Sequence, residues 1–318
     1  MRTRAAKHAL EIGVFRAARA TCVLLPERVA LASGAGLGRV VGSALRVRRA
    51  EVDRHLAWAF PDRSAAWRGE VARACYQHFG REAVATLRAA QGGRFSSGGG
   101  PVSAWVLERT RTVGFEAFER EAASGTGVVL LTGHLGNWEL GGAAIAARGV
   151  PLDVVGKGMS NTLFQAELFS LRERLGMRVI EMGEASRLAL RSLAAGRVVA
   201  LLGDQSAHGG GVLVPFFGRP AVTARGPALF ALRARAPVFV AFAVRDPGSA
   251  HRYTVTFEAL PYAPSGDLER DVEALTASYT HVLEAAVRGA PQQYFWQHRR
   301  WKGTALEEPR PDGQFTTR

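Results

Sequence analysis

Two cysteines, Cys22 and Cys75, occur in the 318 residues. That count leaves no disulfide framework and no paired-cysteine zinc site. It suits a reducing compartment, with both thiols read as buried and inert. No apolar run reaches the roughly 20 residues that a bilayer span requires. The nearest, VALASGAGLGRVVGSAL from Val29 to Leu45, carries Arg39 near its centre. Arg16 and Arg19 interrupt the apolar stretch Leu10 to Leu25, which argues against a secretory signal. No G-x-S-x-G elbow is present, so an activated strand-end serine has no candidate. No internal repeat stands out. Acids are scarce: 28 Asp and Glu stand against 41 Lys and Arg, a net charge of +13.

Hydrophobic residues make up 47% of the chain, enough for a sizeable core and too many for overall disorder. Much of the charge sits at the start. Residues 1–50 carry ten basic groups against Glu11 and Glu27, which leaves +8 in that segment. A basic, partly apolar N-terminus suits an anionic partner, either nucleic acid or the cytoplasmic face of a membrane, although an arginine-rich coding bias would raise the charge too. A helical stripe runs Leu10, Val14, Ala18, Cys22, Leu25, with Lys7 and Glu11 close to the same face. Residues 1–48 therefore read as a helical membrane-associating segment, spanning or interfacial, and residues 49–318 as one domain.

Residues 51–90 read as helical. Ser64 caps a helix whose apolar face runs Trp67, Val71, Cys75, Phe79, Leu87. The stretch QGGRFSSGGGP (91–101) is a loop by composition. From residue 125 the pattern alternates. Strands are expected at 128–132, 152–156, 177–181, 198–203, 237–244 and 252–259. Helices are expected over 137–148, through Phe164 to Leu175, over 184–195, and from Leu268 to Val287. The fold class is α/β: a largely parallel central sheet covered by helices on both faces, with the last strand pair antiparallel across the short DPGS loop.

The run Gly133-His134-Leu135-Gly136-Asn137-Trp138-Glu139 follows the first of those strands directly. Sites in open α/β sheets form where strands end and helices begin. His134 sits at that mouth, Asn137 caps the next helix, and Glu139 falls in its first turn. A chain reversal would let Glu139 reach the imidazole Nδ1, fix the tautomer and leave Nε2 as a general base. Gly133 and Gly136 would let backbone N–H groups approach a developing oxyanion. The plainer alternative is a helix cap with a surface ion pair.

HLGNWE resembles the H-x-x-x-x-[DE] motif of glycerolipid-type acyltransferases, and the wider chain is similar to their bacterial lipid A biosynthesis branch. GDQSAHGGGVLVPFFGRPAVTARGP (203–227), PVFVAFAVR (237–245), PQQYFWQHRRWK (291–302) and HLAWAFPDRS (55–64) resemble that branch's further blocks, with His55 where asparagine is commoner. The resemblance covers roughly residues 46–302. It implies a glycerolipid-acyltransferase-like fold and acyl transfer from acyl carrier protein or acyl-CoA to a glycolipid or lysolipid hydroxyl. It implies no cofactor, no metal and no covalent acyl-enzyme. His134 and Glu139 are the expected catalytic pair. Expected substrate-binding residues are Gly136, Asn137, Lys157 (where the branch often has arginine), Arg172, Asp204, Gln205 and Arg245.

A lipid A precursor is the first acceptor to consider, with the enzyme on the cytoplasmic face of the inner membrane. Alternatives are an aminolipid, mannolipid or lysophospholipid acceptor, or a non-catalytic lipid-binding protein on the same fold. Arg174 accompanies Arg172 on one helix. Phe216 and Phe217 would wall an acyl channel or pack the core. His298, Arg299 and Arg300 lie among Tyr294, Trp296 and Trp301, a mixture that suits a membrane interface; no nucleic-acid fold signature accompanies it. His208 falls in a glycine loop with Gly209 to Gly211 and reads as incidental.

Overall fold

The computed structural model describes residues 2–92, 101–206 and 210–304, with side chains from residue 8 onward. Most of the expected loop at 91–101 lies outside the described residues, as do His208 and Gly209. A seven-stranded sheet forms the centre. Its strands are β1 (Thr110–Val113), β2 (Val128–Thr132), β3 (Leu152–Gly156), β4 (Arg178–Glu181), β5 (Val198–Leu202), β8 (Val238–Arg245) and β9 (Tyr253–Ala259), in the order β1-β9-β8-β2-β5-β3-β4. Strands β8, β2, β5, β3 and β4 are mutually parallel. Strand β9 returns antiparallel to β8, as its short connection requires, and β1 lies parallel to β9 at the edge. Strands β6 (Val212–Phe216) and β7 (Arg219–Thr223) form a separate hairpin that the sequence reading missed, as it missed β1.

The central strands are apolar on both faces, and their two-residue period divides them between two cores. Val129, Leu131, Val199 and Leu201 join one core with α3 (Arg49–Ala59), α4 (Ala65–Ala89), α9 (Ala185–Ala194), α10 (Gly226–Ala234) and α11 (Leu268–Gly289). Val128, Leu130, Val198 and Ala200 join the other with α5 (Val102–Arg109), α6 (Phe115–Ala123), α7 (Trp138–Ala146) and α8 (Thr162–Arg174). Ser64 caps α4 as expected, accepting from the Trp67 N–H at 3.2 Å.

The N-terminal segment forms α1 (Arg2–Leu24) and α2 (Glu27–Arg39), and α2 continues into a π turn over Val40–Ala44. Helix α2 lies backbone to backbone on α4. A Cβ at Gly38 would sit 2.0 Å from the Tyr76 carbonyl oxygen, and one at Gly34 2.5 Å from that of Gly80. Helix α1 docks on α8: Arg16 and Arg19 hold Glu167 at 2.7 and 2.6 Å, and Phe15 meets Phe164 edge-on. Its packed side is Ile12 and Phe15, so the expected stripe at Leu10 and Val14 faces outward, 69% and 61% exposed. Leu24, Val29, Leu37 and Val40 are also exposed. Among the described residues, no helix is long and apolar enough to cross a membrane.

Candidate active site

Strands β2 and β5 are neighbours in register, with Thr132 opposite Leu202. Two residues beyond each, His134 and Asp204 face one another. Asp204 Oδ1 accepts from His134 Nδ1 at 2.7 Å, and Oδ2 accepts from the His134 backbone N–H at 2.8 Å. One carboxylate thus fixes both the ring and the chain that carries it. Gly133 makes the approach feasible: a Cβ there would stand 3.3 Å from the Asp204 carboxyl and 2.8 Å from Leu283. Burial works to raise the Asp204 pKa. It is outweighed by the His134 charge, the two hydrogen bonds from His134 and the buried Arg300 guanidinium, so the carboxyl lies below its ordinary range. Trp138 meets the imidazole edge-on at 4.8 Å, and the Phe295 N–H donates to the His134 carbonyl at 3.0 Å. On the open side of the ring, the Gln205 amide donates to Nε2 at 3.2 Å.

Glu139 does not reach the imidazole, which corrects the expected pairing. Its carboxylate accepts from Arg172 Nε at 3.0 Å and Nη2 at 2.7 Å, and from Trp138 Nε1 at 3.2 Å. A bidentate guanidinium outcompetes a ring N–H for a carboxylate, and Asp204 already occupies Nδ1. The oxyanion expectation fails as well at His134 to Asn137. Their backbone N–H groups go to Asp204, Gly133, Gln293 and Ala243 in turn.

Gly136 and Asn137 lie beneath the loop and line no part of the cleft described below. Gly136 takes φ +66°, and a Cβ there would lie 2.0 Å from the Ala243 carbonyl oxygen, so the reversal needs glycine. Asn137 is the expected cap: Oδ1 accepts from the Leu140 N–H at 3.0 Å, while Nδ2 donates to Glu82 Oε2 at 2.9 Å. Glu82 is buried on α4 and also accepts from the Tyr253 hydroxyl at 2.6 Å. Arg245 points to this carboxylate, 3.3 Å away, and to the Ser249 carbonyl; it too is absent from the cleft. One turn earlier, His78 Nε2 donates to the Gly136 carbonyl at 3.2 Å. Burial pushes the His78 pKa down to about 3. His78 and Glu82 escaped the sequence reading, although their i, i+4 spacing on a helix places them on one face.

A cleft of about 940 Å³ opens beside Nε2. Lys157, Arg172 and Gln205 line it with His134, while Phe164, Leu168, Leu201, Leu202 and Phe230 make it largely apolar. A narrow apolar pocket of about 50 Å³ lies behind the Glu139–Arg172 pair and shares Val155, Arg172, Leu201 and Leu202 with the cleft. Arg174 is exposed and does not line the cleft. Phe216 and Phe217 are core residues against Trp301 and Trp296. The C-terminal aromatic block is likewise interior: Tyr294, Trp296, Arg300 and Trp301 are all nearly fully buried, which overturns its reading as a membrane interface. His298 accepts from the Ser206 N–H at 3.0 Å and so anchors the residue after Gln205; burial pushes its pKa down to about 4. Among the described residues, no three His, Cys, Asp or Glu side chains converge as a metal-ligand set.

Fold and site define a class: an α/β protein with a carboxylate-backed histidine at its strand ends, open to an amphiphilic cleft. Residues 6–303 match the family described as bacterial lipid A biosynthesis acyltransferase, and the chain belongs to that family. Among curated proteins it is similar to phosphatidylinositol mannoside acyltransferases. Two Mycobacterium tuberculosis proteins are each 28% identical over 123 residues, 37% of this chain and 39% of theirs. One from Mycolicibacterium smegmatis is 28% identical over 120 residues, 36% of this chain and 40% of its own. The matched segment therefore spans about two fifths of these relatives.

Proposed function

We propose that this chain transfers a fatty acyl group from an acyl thioester, carried by acyl carrier protein or coenzyme A, to a hydroxyl of a glycolipid at a membrane surface. The observation that carries this reading is the His134–Asp204 pair presenting Nε2 to the apolar, cation-bearing cleft. The acceptor hydroxyl takes the place of the Gln205 amide at Nε2. As its oxygen bonds to the thioester carbonyl carbon, its proton passes to Nε2, and Asp204 stabilises the resulting imidazolium. The C–S bond then breaks and the departing thiolate takes that proton. No metal or covalent acyl-enzyme is required in this scheme. Arg172, held by Glu139, and Lys157 meet anionic groups of the lipid or the carrier.

The family description favours a lipid A precursor as acceptor. The mannolipid alternative is favoured by the similarity to the phosphatidylinositol mannoside acyltransferases. The exposed side chains of Leu10, Val14, Leu37 and Val40, beside the basic N-terminal segment, support interfacial binding at the cytoplasmic face of the inner membrane.

His134→Ala is expected to lower turnover by about 10²–10⁴ with the fold retained. Turnover near wild type, in an acyl-transfer assay with both donors, would reject the scheme. Lipid mass spectrometry of a deletion strain would name the acceptor by the species that is lost.

A further inference from the structure

A second concavity, of about 380 Å³, opens between α2, α4 and the loop that joins β8 to β9. It lies at the same end of the sheet as the catalytic cleft, past the C-terminal ends of the parallel strands, and among the described residues shares no lining residue with it. Arg28 comes from α2, Arg81 from α4, and His251 and Arg252 from the loop, while the remaining wall is small or apolar. No acid lines it. The neighbouring carboxylate on each of the three segments is committed elsewhere. Glu27 is held by Arg109 at 3.2 Å, Glu82 accepts from Asn137 and Tyr253, and Asp246 accepts from the Thr254 hydroxyl at 2.5 Å. Arg81 is half-buried, and its Nε is buried with no hydrogen-bond partner. Burial, and next the like charge of Arg245, push its pKa down, so an anion here would relieve the repulsion.

Arg28, Arg81 and Arg252 bring guanidinium-bearing side chains from distant parts of the chain to the wall of one headgroup-sized hollow, a lining suited to a tetrahedral oxyanion. Each presents a planar fork of donors matched to phosphate oxygens. We propose that this cleft binds a phosphate group, either the headgroup phosphate of a membrane phospholipid or that of a soluble phosphate ester. The exposed Leu24 and Val29 flank Arg28 in the chain, so that a bound headgroup would have apolar side chains nearby to meet its acyl region.

The test titrates the whole protein with inorganic phosphate at constant ionic strength, read by calorimetry, with chloride as the comparison. Saturable binding is expected in the wild type. Each of Arg81→Gln/Arg252→Gln and Arg28→Gln/Arg252→Gln should weaken it by about tenfold or more. The second pair replaces only exposed side chains, so it guards against misfolding of the first. A control, Arg233→Gln/Arg270→Gln, removes two exposed charges elsewhere and should leave binding unchanged. Absence of saturable phosphate binding in the wild type, or equal affinity in the Arg28→Gln/Arg252→Gln variant, would overturn the proposal.

Sedimentation with phosphatidylcholine vesicles, with and without phosphatidate, then separates the two sources. If the gain from phosphatidate is lost in the variant that lost phosphate binding, the site takes a lipid headgroup. If that gain persists, the site takes a soluble ester. Neither readout depends on acyl transfer, so failure here and failure of the proposed activity are distinguishable.

Discussion

At His134 a single carboxylate holds two donors, the ring Nδ1 and the backbone N–H, and so fixes tautomer and position together. Asp204→Asn keeps the shape but cannot enforce that tautomer. It is expected to lower kcat by about 10²–10⁴ with little change in KM, as steady-state kinetics would reveal. Glu139 acts on a different partner. Glu139→Gln and Arg172→Gln should each reduce kcat/KM, and the double variant should be no worse than the poorer single one, because either change breaks the same pair. Additive losses in that cycle would show that the two side chains act independently.

Helix α4 reaches the His134 loop through its buried Glu82 and His78, which hold Asn137 and the Gly136 carbonyl from behind. Glu82→Gln leaves Arg245 beside a neutral group in a buried setting. Breaking a buried pair in this way costs about 3–5 kcal/mol. The expected result is a lower Tm together with a fall in kcat, since the α7 cap and the His134 turn loosen at once. Unchanged melting and kinetics would mean that the network is redundant. The same helix receives α2 through facing glycines, so Gly38→Val should destabilise the protein by at least about 1–3 kcal/mol in urea unfolding.

Among the described residues, three buried histidines resist protonation: His298 with a pKa near 4 and His78 near 3, against 6.5 ordinarily, and His55, whose pKa burial also lowers. The unfolded chain binds those protons first. Stability is therefore full above about pH 6.5, falls as pH drops, and levels off below the folded values. Each histidine contributes a slope of at most about 1.4 kcal/mol per pH unit. The depressed Asp204 adds a further loss below the ordinary carboxylate range. Urea midpoints at pH 7, 5.5 and 4.5 should decline in order, and His78→Gln should flatten the trend. For membrane binding, Val14→Glu/Leu37→Glu is expected to reduce vesicle sedimentation while leaving Tm unchanged, because both side chains are more than half exposed.

Local pattern alone determined a good deal of this protein. Continuous apolar runs marked the parallel strands, because a strand buried on both faces has no polar side to show. Ser64 and Asn137 announced their helices, and His134 stood out because a strand ended just before it. Tertiary structure decided which carboxylate serves the histidine. Asp204 lies 70 residues further along, and only the sheet order, which sets β5 against β2 while β3 and β4 lie beyond, brings it to Nδ1. Glu139 was near in sequence and on the wrong side of the turn. Register decided also that Arg245 serves Glu82 and that the C-terminal aromatic block is interior. Composition reports what a side chain tolerates, while burial and partnership are set by neighbours that spacing along the chain does not encode. The candidate histidine was thus readable from the chain, and its partner was a property of the sheet.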